Sequence, residues 1–131
     1  MHFTLETNYA IRIVYCLAKS GKKMDAKSIS QQADVSLRFA LKILRKLVSV
    51  GIVKSFVGTQ GGYEICKPLE EISLYDVIET VEGKYELSRC ISSNCDCSCF
   101  SNSPCKIKNI FCDISSDVIS KLQSHKFSEF M

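Results

Sequence analysis

A mainly α fold carrying a small β-wing and ending in one long helix is predicted by three features of the 131-residue sequence. Apolar residues recur at helical spacing in five segments. Two short β-like runs are joined by Gly58-Thr59-Gln60-Gly61-Gly62. One stretch, residues 84–103, loses periodicity and fills instead with Ser, Asn and Cys. A chain of this length can bury one core and carry an appendage, but it cannot build two independent cores.

In the first helix, Asn8 to Lys19, the stripe is Ile11, Val14, Tyr15 and Ala18, and Ser20-Gly21 closes it with a Gly suited to a C-terminal cap. Asp25 caps a short second helix, Ala26 to Ala33. Ala33-Asp34-Val35 makes a tight turn, and Ser36 caps a third helix that runs through Val50 and stops at Gly51. The third helix is expected to bury Leu37, Ala40, Leu41, Leu44, Leu47 and Val48 and to leave Arg38, Lys42, Arg45 and Lys46 on or beside its other face. Ile52 to Val57 and Tyr63 to Cys66 then form a hairpin, ended by Pro68. Ser73 caps a fourth helix with Leu74, Val77, Ile78 and Val81, terminated by Gly83. Ser103-Pro104 offers an N-cap and a first-turn Pro for the last helix, whose stripe is Ile107, Ile110, Phe111, Ile114, Val118 and Leu122. That stripe lies outside a domain already supplied with core helices, so it is expected to be a subunit interface. The tail from Gln123 to Met131 is expected to fray.

Two helices joined by a short turn, behind a supporting helix and before a hairpin, are the winged helix-turn-helix pattern. Charge supports a nucleic-acid partner for it. Residues 1–67 hold 11 Lys/Arg against 4 Asp/Glu, a net +7, while residues 68–131 hold 6 against 10, a net −4. The second helix of such a pair enters the major groove, so Ser36, Arg38, Phe39 and Lys42 are the candidate base readers, with Arg45, Lys46 and Lys54 nearer phosphates. The wing tip, Thr59, Gln60 and Gly61, is shaped for the minor groove. A winged-helix protein-interaction module with a solvated Lys face is the bland alternative. No Ser-His-Asp set, catalytic carboxylate pair or phosphate-cradling loop is present, which argues against an enzyme. No apolar run approaches the roughly 20 residues needed to span a bilayer, and no secretory signal is visible at the N-terminus, so a cytoplasmic location is expected.

Six of the eight cysteines, Cys90, Cys95, Cys97, Cys99, Cys105 and Cys112, fall in one short segment. Thiolates are soft ligands, and a loop too polar to fold by burial can be ordered by metal bonds. An iron-sulfur cluster, zinc, a metal-free disulfide switch and inert thiols all remain open on residues alone, although the paired C-x-x-C spacing usual for zinc is absent. Cys16 and Cys66 are expected to be small packing residues, and His2 and His125 solvated surface groups.

Several stretches carry a family resemblance: Tyr9-Ala10-Ile11-Arg12, Val35-Ser36-Leu37-Arg38-Phe39, Leu47 through Val53, Gly58-Thr59-Gln60-Gly61-Gly62-Tyr63, and Ile72-Ser73-Leu74-Tyr75-Asp76-Val77-Ile78-Glu79-Thr80-Val81-Glu82-Gly83. Through these, nearly the whole chain resembles the Rrf2 family of bacterial winged-helix transcription regulators, the group of IscR, NsrR and CymR. The resemblance implies a homodimer held by the final helix and bound to a double-stranded DNA operator. It also implies DNA affinity controlled by an iron-sulfur cluster (2Fe–2S or 4Fe–4S) that senses iron-sulfur status, redox state or nitric oxide. The alternative within the family is a cluster-free, CymR-like repressor responding through thiols or an effector, with a possible partner protein. By position, Cys90, Cys99 and Cys105 match the family's three cysteines, and Cys95 or Cys97 is expected to complete the set, with Cys112 the weaker candidate. Three departures accompany the match. Leu41-Lys42 replaces the Glu-Gln base-reading pair of some members, Lys108 stands where some supply a His ligand, and Asn8 where some use an Asp. The resulting organisation is a DNA-binding domain at 1–83, a cluster-binding loop at 84–103, and a dimerisation helix and tail at 104–131.

Overall fold

The computed structural model describes residues 2–88 and 105–131. Helix α1 spans Leu5–Ser20, α2 Ala26–Ala33, α3 Leu37–Ser49, α4 Leu74–Glu82 and α5 Lys106–Ser124; strands β1 (Val53–Phe56) and β2 (Gly62–Ile65) lie between α3 and α4. Short 3-10 turns occupy Leu69–Glu71 and Phe127–Phe130.

Side chains set the helix starts. Thr4 caps α1 by accepting from the Thr7 N–H, which begins the helix three residues before the expected Asn8. Asp25 caps α2 through the Ser28 N–H, and Ser36 caps α3 through the Phe39 N–H. Ser73 and Asp76 form a reciprocal capping box at α4, with hydrogen bonds of 2.8 and 3.1 Å. Between α2 and α3, Asp34 adopts φ 55°, a left-handed conformation that Asp tolerates better than most residues, and the chain turns sharply there.

α1 is the central helix, packed against α2, α3 and α4. Its buried positions are Thr7, Ala10, Ile13, Val14 and Leu17, so the stripe is rotated by about one residue from the expected one: Tyr15 is exposed, and Ile11 and Ala18 are half-buried. A helix contacted on several sides carries a broad apolar face, and periodicity alone does not fix its centre. On α3 the buried set is Ala40, Ile43, Leu44 and Leu47. Ile43 replaces the expected Leu37, which is exposed in the first turn, and the expected Leu41 and Val48 are only half-buried.

β1 and β2 pair antiparallel, Val53 opposite Ile65 and Phe56 opposite Gly62. Met24 adds an isolated bridge to β2: its N–H donates to the Tyr63 carbonyl at 2.9 Å and its carbonyl accepts from the Tyr63 N–H at 2.7 Å. The two adjoining glycines are sterically required. A Cβ on Gly61 would lie 2.8 Å from the Phe56 oxygen, and one on Gly62, at φ 153°, 2.7 Å from the Met24 oxygen.

The C-terminal tail does not fray. Phe127 is fully buried in the core, its N–H donates to the Ile72 carbonyl at 2.9 Å, and the His125 carbonyl accepts from the Leu74 N–H at 3.0 Å. Phe130 packs edge-on against Phe127 with ring centroids 5.7 Å apart. The end of α5 is therefore stapled to the start of α4. Closer to the start of α5, the buried Ser115 hydroxyl accepts from the Leu87 N–H at 3.0 Å, which ties the segment after α4 to the same helix. Cys105 caps α5, two residues after the expected cap Ser103; Ser103 and Pro104 lie outside the described residues.

Candidate nucleic-acid interface

Arg38, Lys42 and Arg45 recur at i, i+4 and i+7 on α3, which places them on one outward face, and all three are exposed. Together with Phe39 and Leu41 they line a shallow groove. Ser36, also exposed, caps the helix beside them. Phe39 is 43% exposed and is buttressed from behind by Tyr9 of α1, ring centroids 5.8 Å apart in an edge-to-face arrangement. The Arg12 guanidinium stands 5.8 Å from the Tyr9 ring centroid. An aromatic side chain that is exposed yet held in place by a second aromatic offers a fixed apolar surface beside the cations, suited to a thymine methyl.

Lys46 turns away from that face. Its Nζ donates to Glu6 Oε1 at 2.9 Å, and Lys42 Nζ lies 3.6 Å from the same oxygen. The Lys46 hydrogen bond holds the Glu6 carboxyl below the usual carboxylate range, against a smaller opposing effect of burial. Sequence reading found four cations and no acid on α3, and it could not see that an acid from α1 folds onto two of them. The expected helix begins at Asn8, which leaves Glu6 outside it, whereas the observed helix carries Glu6 in its first turn.

The wing carries Thr59 and Gln60 exposed at its tip, with Gly61 half-buried beneath them. At its base Lys54 Nζ lies 5.3 Å from the Phe56 ring centroid and Lys23 Nζ 4.9 Å from it on a chain segment that precedes α2. Lys23 was not among the expected contacts. The fold brings it to the wing through the Met24–Tyr63 pairing, which leaves no local signature in the sequence.

Behind the interface, Glu82 at the end of α4 accepts from the Thr4 N–H at 2.8 Å, the Thr4 hydroxyl at 3.0 Å and the Thr7 hydroxyl at 2.5 Å. Burial opposes its charge, but these donors outweigh burial and leave its pKa lowered. This clasp fixes α4 to the first turn of α1, the turn that presents Glu6.

Of the expected metal ligands, Cys105 is half-buried at the start of α5, where its sulfur accepts from the Lys108 N–H at 3.4 Å. Cys90, Cys95, Cys97 and Cys99 lie outside the described residues. Among the described residues, no cluster of three or more His, Cys, Asp or Glu is gathered as a metal site. Cys112 is half-buried on α5. Cys16 packs against the core, where burial pushes its thiol pKa up, whereas Cys66 is exposed and its thiol donates to the Gly51 carbonyl at 2.8 Å. Cys66 is thus a hydrogen-bonding surface residue rather than the packing residue expected. His125 is half-exposed and sits 3.2 Å from Glu129 Oε1. Along α5, Ile107, Ile110 and Ile114 are 56%, 56% and 40% exposed, in line at i, i+3 and i+7. Among the described residues, no helix is long and apolar enough to cross a membrane.

Comparison with known proteins places this geometry in context. A family profile described as "Iron-dependent Transcriptional regulator", named Rrf2, matches residues 3–131. Protein aau3 of Rhizobium meliloti is 34% identical over 94 residues, which cover 71% of this chain and 61% of that protein, so the chain spans about three fifths of that relative's length. Two solved structures superimpose with a TM-score of 0.78. IscR of T. potens, 19% identical, is matched over 99% of this chain and 85% of that one; CymR (YrzC) of B. subtilis, titled a global cysteine regulator, is 23% identical over 99% and 95% respectively. At those identities the two structures establish the shared winged-helix fold.

Proposed function

The chain belongs to the Rrf2 family of transcriptional regulators, and from that premise we propose that it binds a double-stranded operator as a homodimer and that a cluster held by its cysteine loop sets its DNA affinity. The observation that carries the DNA-binding part is the outward face of α3. Arg38, Lys42 and Arg45 flank the buttressed Phe39 there, with the Lys54 wing base presenting further cations. In this reading the first turn of α3 meets base edges, Arg45 and Lys54 meet phosphates, and Thr59, Gln60 and Gly61 follow the minor groove. The exposed Ile107, Ile110 and Ile114 form the two-fold seam, which removes an apolar stripe from water.

The chemistry of Cys105 fits an iron-sulfur ligand. It caps a helix, its sulfur already accepts a backbone N–H, and hydrogen bonds of that kind stabilise and tune thiolate-bound clusters. Cys90, Cys99 and Cys105 would hold the cluster with Cys95 or Cys97 as the fourth ligand. The cluster would supply a redox- and iron-sensitive link between the loop and α5. A second reading, a cluster-free thiol or effector sensor, is favoured by one observation: Asn8 and Lys108 stand where some family members supply an Asp or a His ligand, and neither side chain is a good donor to iron.

Purification without oxygen, followed by iron and sulfide analysis, tests the cluster. Visible absorption that disappears in Cys90→Ser, Cys99→Ser and Cys105→Ser but survives in Cys16→Ser, Cys66→Ser and Cys112→Ser fits the proposal. A Cys90→Ser, Cys105→Ser double variant that keeps its full cluster overturns the assignment. Colourless protein whose DNA affinity responds to thiol oxidation transfers support to the second reading.

A further inference from the structure

The carboxylate of Glu6 neutralises two cations of α3 beside the candidate DNA face. Its Oε1 takes the Lys46 ammonium at 2.9 Å and the Lys42 ammonium at 3.6 Å, and the Glu6 side chain is 21% exposed, against 35% for Lys46 and 56% for Lys42. α3 contributes no acid of its own, and among the described residues Glu6 is the one carboxylate in ion-pair contact with it. The charge is secured independently of the lysines, because Glu6 occupies the first turn of α1, where the positive end of the helix dipole favours an anion. Lys42 sits between Arg38 and Arg45 on the outward face, so the ion pair reaches into the candidate groove itself.

We propose that Glu6 is an internal competitor of the DNA backbone: it holds Lys46 and Lys42 against α1, withholds two cations from phosphates, and so limits sequence-independent binding. This inference rests on the DNA-binding reading of α3. Its physical basis is that phosphate neutralisation supplies essentially all of non-specific affinity, whereas base contacts supply discrimination. An acid that holds Lys46 closely and Lys42 more loosely, while leaving Arg38 and Phe39 free, reduces the first more than the second. Each withheld phosphate contact corresponds to a salt slope shallower by about one unit and an affinity for random duplex lower by about tenfold near 0.1 M salt.

The test is fluorescence anisotropy of a labelled random-sequence duplex against full-length protein across a salt series. Glu6→Gln is expected to raise affinity about ten- to a hundredfold and to steepen the salt slope by about one to two units, for one or both lysines released. Glu6→Asp, a methylene shorter, is expected to fall between it and the wild type, and it decides the question should Glu6→Gln fail to fold. In a Lys42→Gln, Lys46→Gln background neither change should matter. Affinity unchanged or lowered by Glu6→Gln overturns the inference, as does an equal gain in the lysine-free background, which would be a whole-molecule charge effect. An Arg38→Ala, Arg45→Ala variant separates the two levels. If it loses random-duplex affinity while Glu6→Gln is inert, the competitor role falls and the DNA face stands; if it too binds as before, both fall.

Discussion

Truncating Phe127 to Ala should cost the fold about 3–5 kcal/mol, the range for emptying a fully buried aromatic site. The upper part of that range applies because the site cannot easily collapse. The Phe127 N–H is held by the Ile72 carbonyl at 2.9 Å, the His125 carbonyl is held by the Leu74 N–H at 3.0 Å, and the Phe130 ring closes the outer side at 5.7 Å. Against a total of roughly 5–15 kcal/mol for a domain, such a loss is about a quarter of the stability or more. The assay is urea unfolding at fixed protein concentration, since the midpoint of the proposed dimer would depend on it. With a slope near 2 kcal/mol/M the midpoint should fall by about 2 M at unchanged slope. Phe127→Leu, which refills most of the volume, should lose no more than about 1.5 kcal/mol. Phe130→Ala, at a partly exposed position, should lose less than Phe127→Ala. A Phe127→Ala protein within about 1 kcal/mol of wild type would refute the reasoning, because it would mean the tail is not part of the core.

Ile110→Asp or Ile114→Asp should convert dimer to monomer in sedimentation at micromolar protein without loss of helical circular dichroism; an unchanged dimer would remove the α5 seam from consideration. Gly62→Ala, whose new Cβ would meet the Met24 oxygen at 2.7 Å, should lower stability by about 1–3 kcal/mol and weaken operator binding, whereas Gly58→Ala, with open space around it, should disturb the wing through backbone strain alone. The acid side of the stability profile should carry a contribution from Glu82. Its folded pKa is depressed, so its stabilisation is present above the unfolded carboxylate pKa and is lost as pH falls through the folded one. The wild type should therefore exceed Glu82→Gln in urea midpoint at pH near 7, with the gap closing once the pH is below the ordinary carboxylate range.

The helix-turn-helix and wing were legible because their signals are local. Caps at Asp25, Ser36 and Ser73 and the Gly61-Gly62 pair act within a few residues, and each element they bound was found within about three residues of its observed ends. What failed was decided by contacts distant in sequence. Whether Leu37 or Ile43 is buried depends on which elements cover α3, and α1 packs on three sides, so its apolar positions fit more than one stripe. The tail was misread for the same reason. Phe127 and Phe130 follow a helix end in a short polar segment, and only the Ile72–Phe127 and Leu74–His125 pairings, more than 50 residues apart in sequence, show that they are core.

At the interface the same distinction separates charge from its balance. The basic character of α3 and the i, i+4, i+7 spacing of Arg38, Lys42 and Arg45 follow from the helix period, so the outward face was readable. Lys46, one residue beyond Arg45, lies some 80° around the helix from Arg38. That rotation directs it toward α1 rather than outward, and the Glu6 carboxylate meets it there at 2.9 Å. Lys23 makes the opposite case: it lies in a connecting segment with no periodicity, yet the Met24–Tyr63 bridge carries it to the wing base beside Lys54. Counting cations along α3 therefore overstates the charge available there by the lysines that Glu6 holds, and understates the charge available at the wing by Lys23. If both corrections are right, Lys23→Gln should flatten the salt slope of DNA binding by about one unit, while Lys46→Gln should flatten it by clearly less unless Glu6 is also replaced.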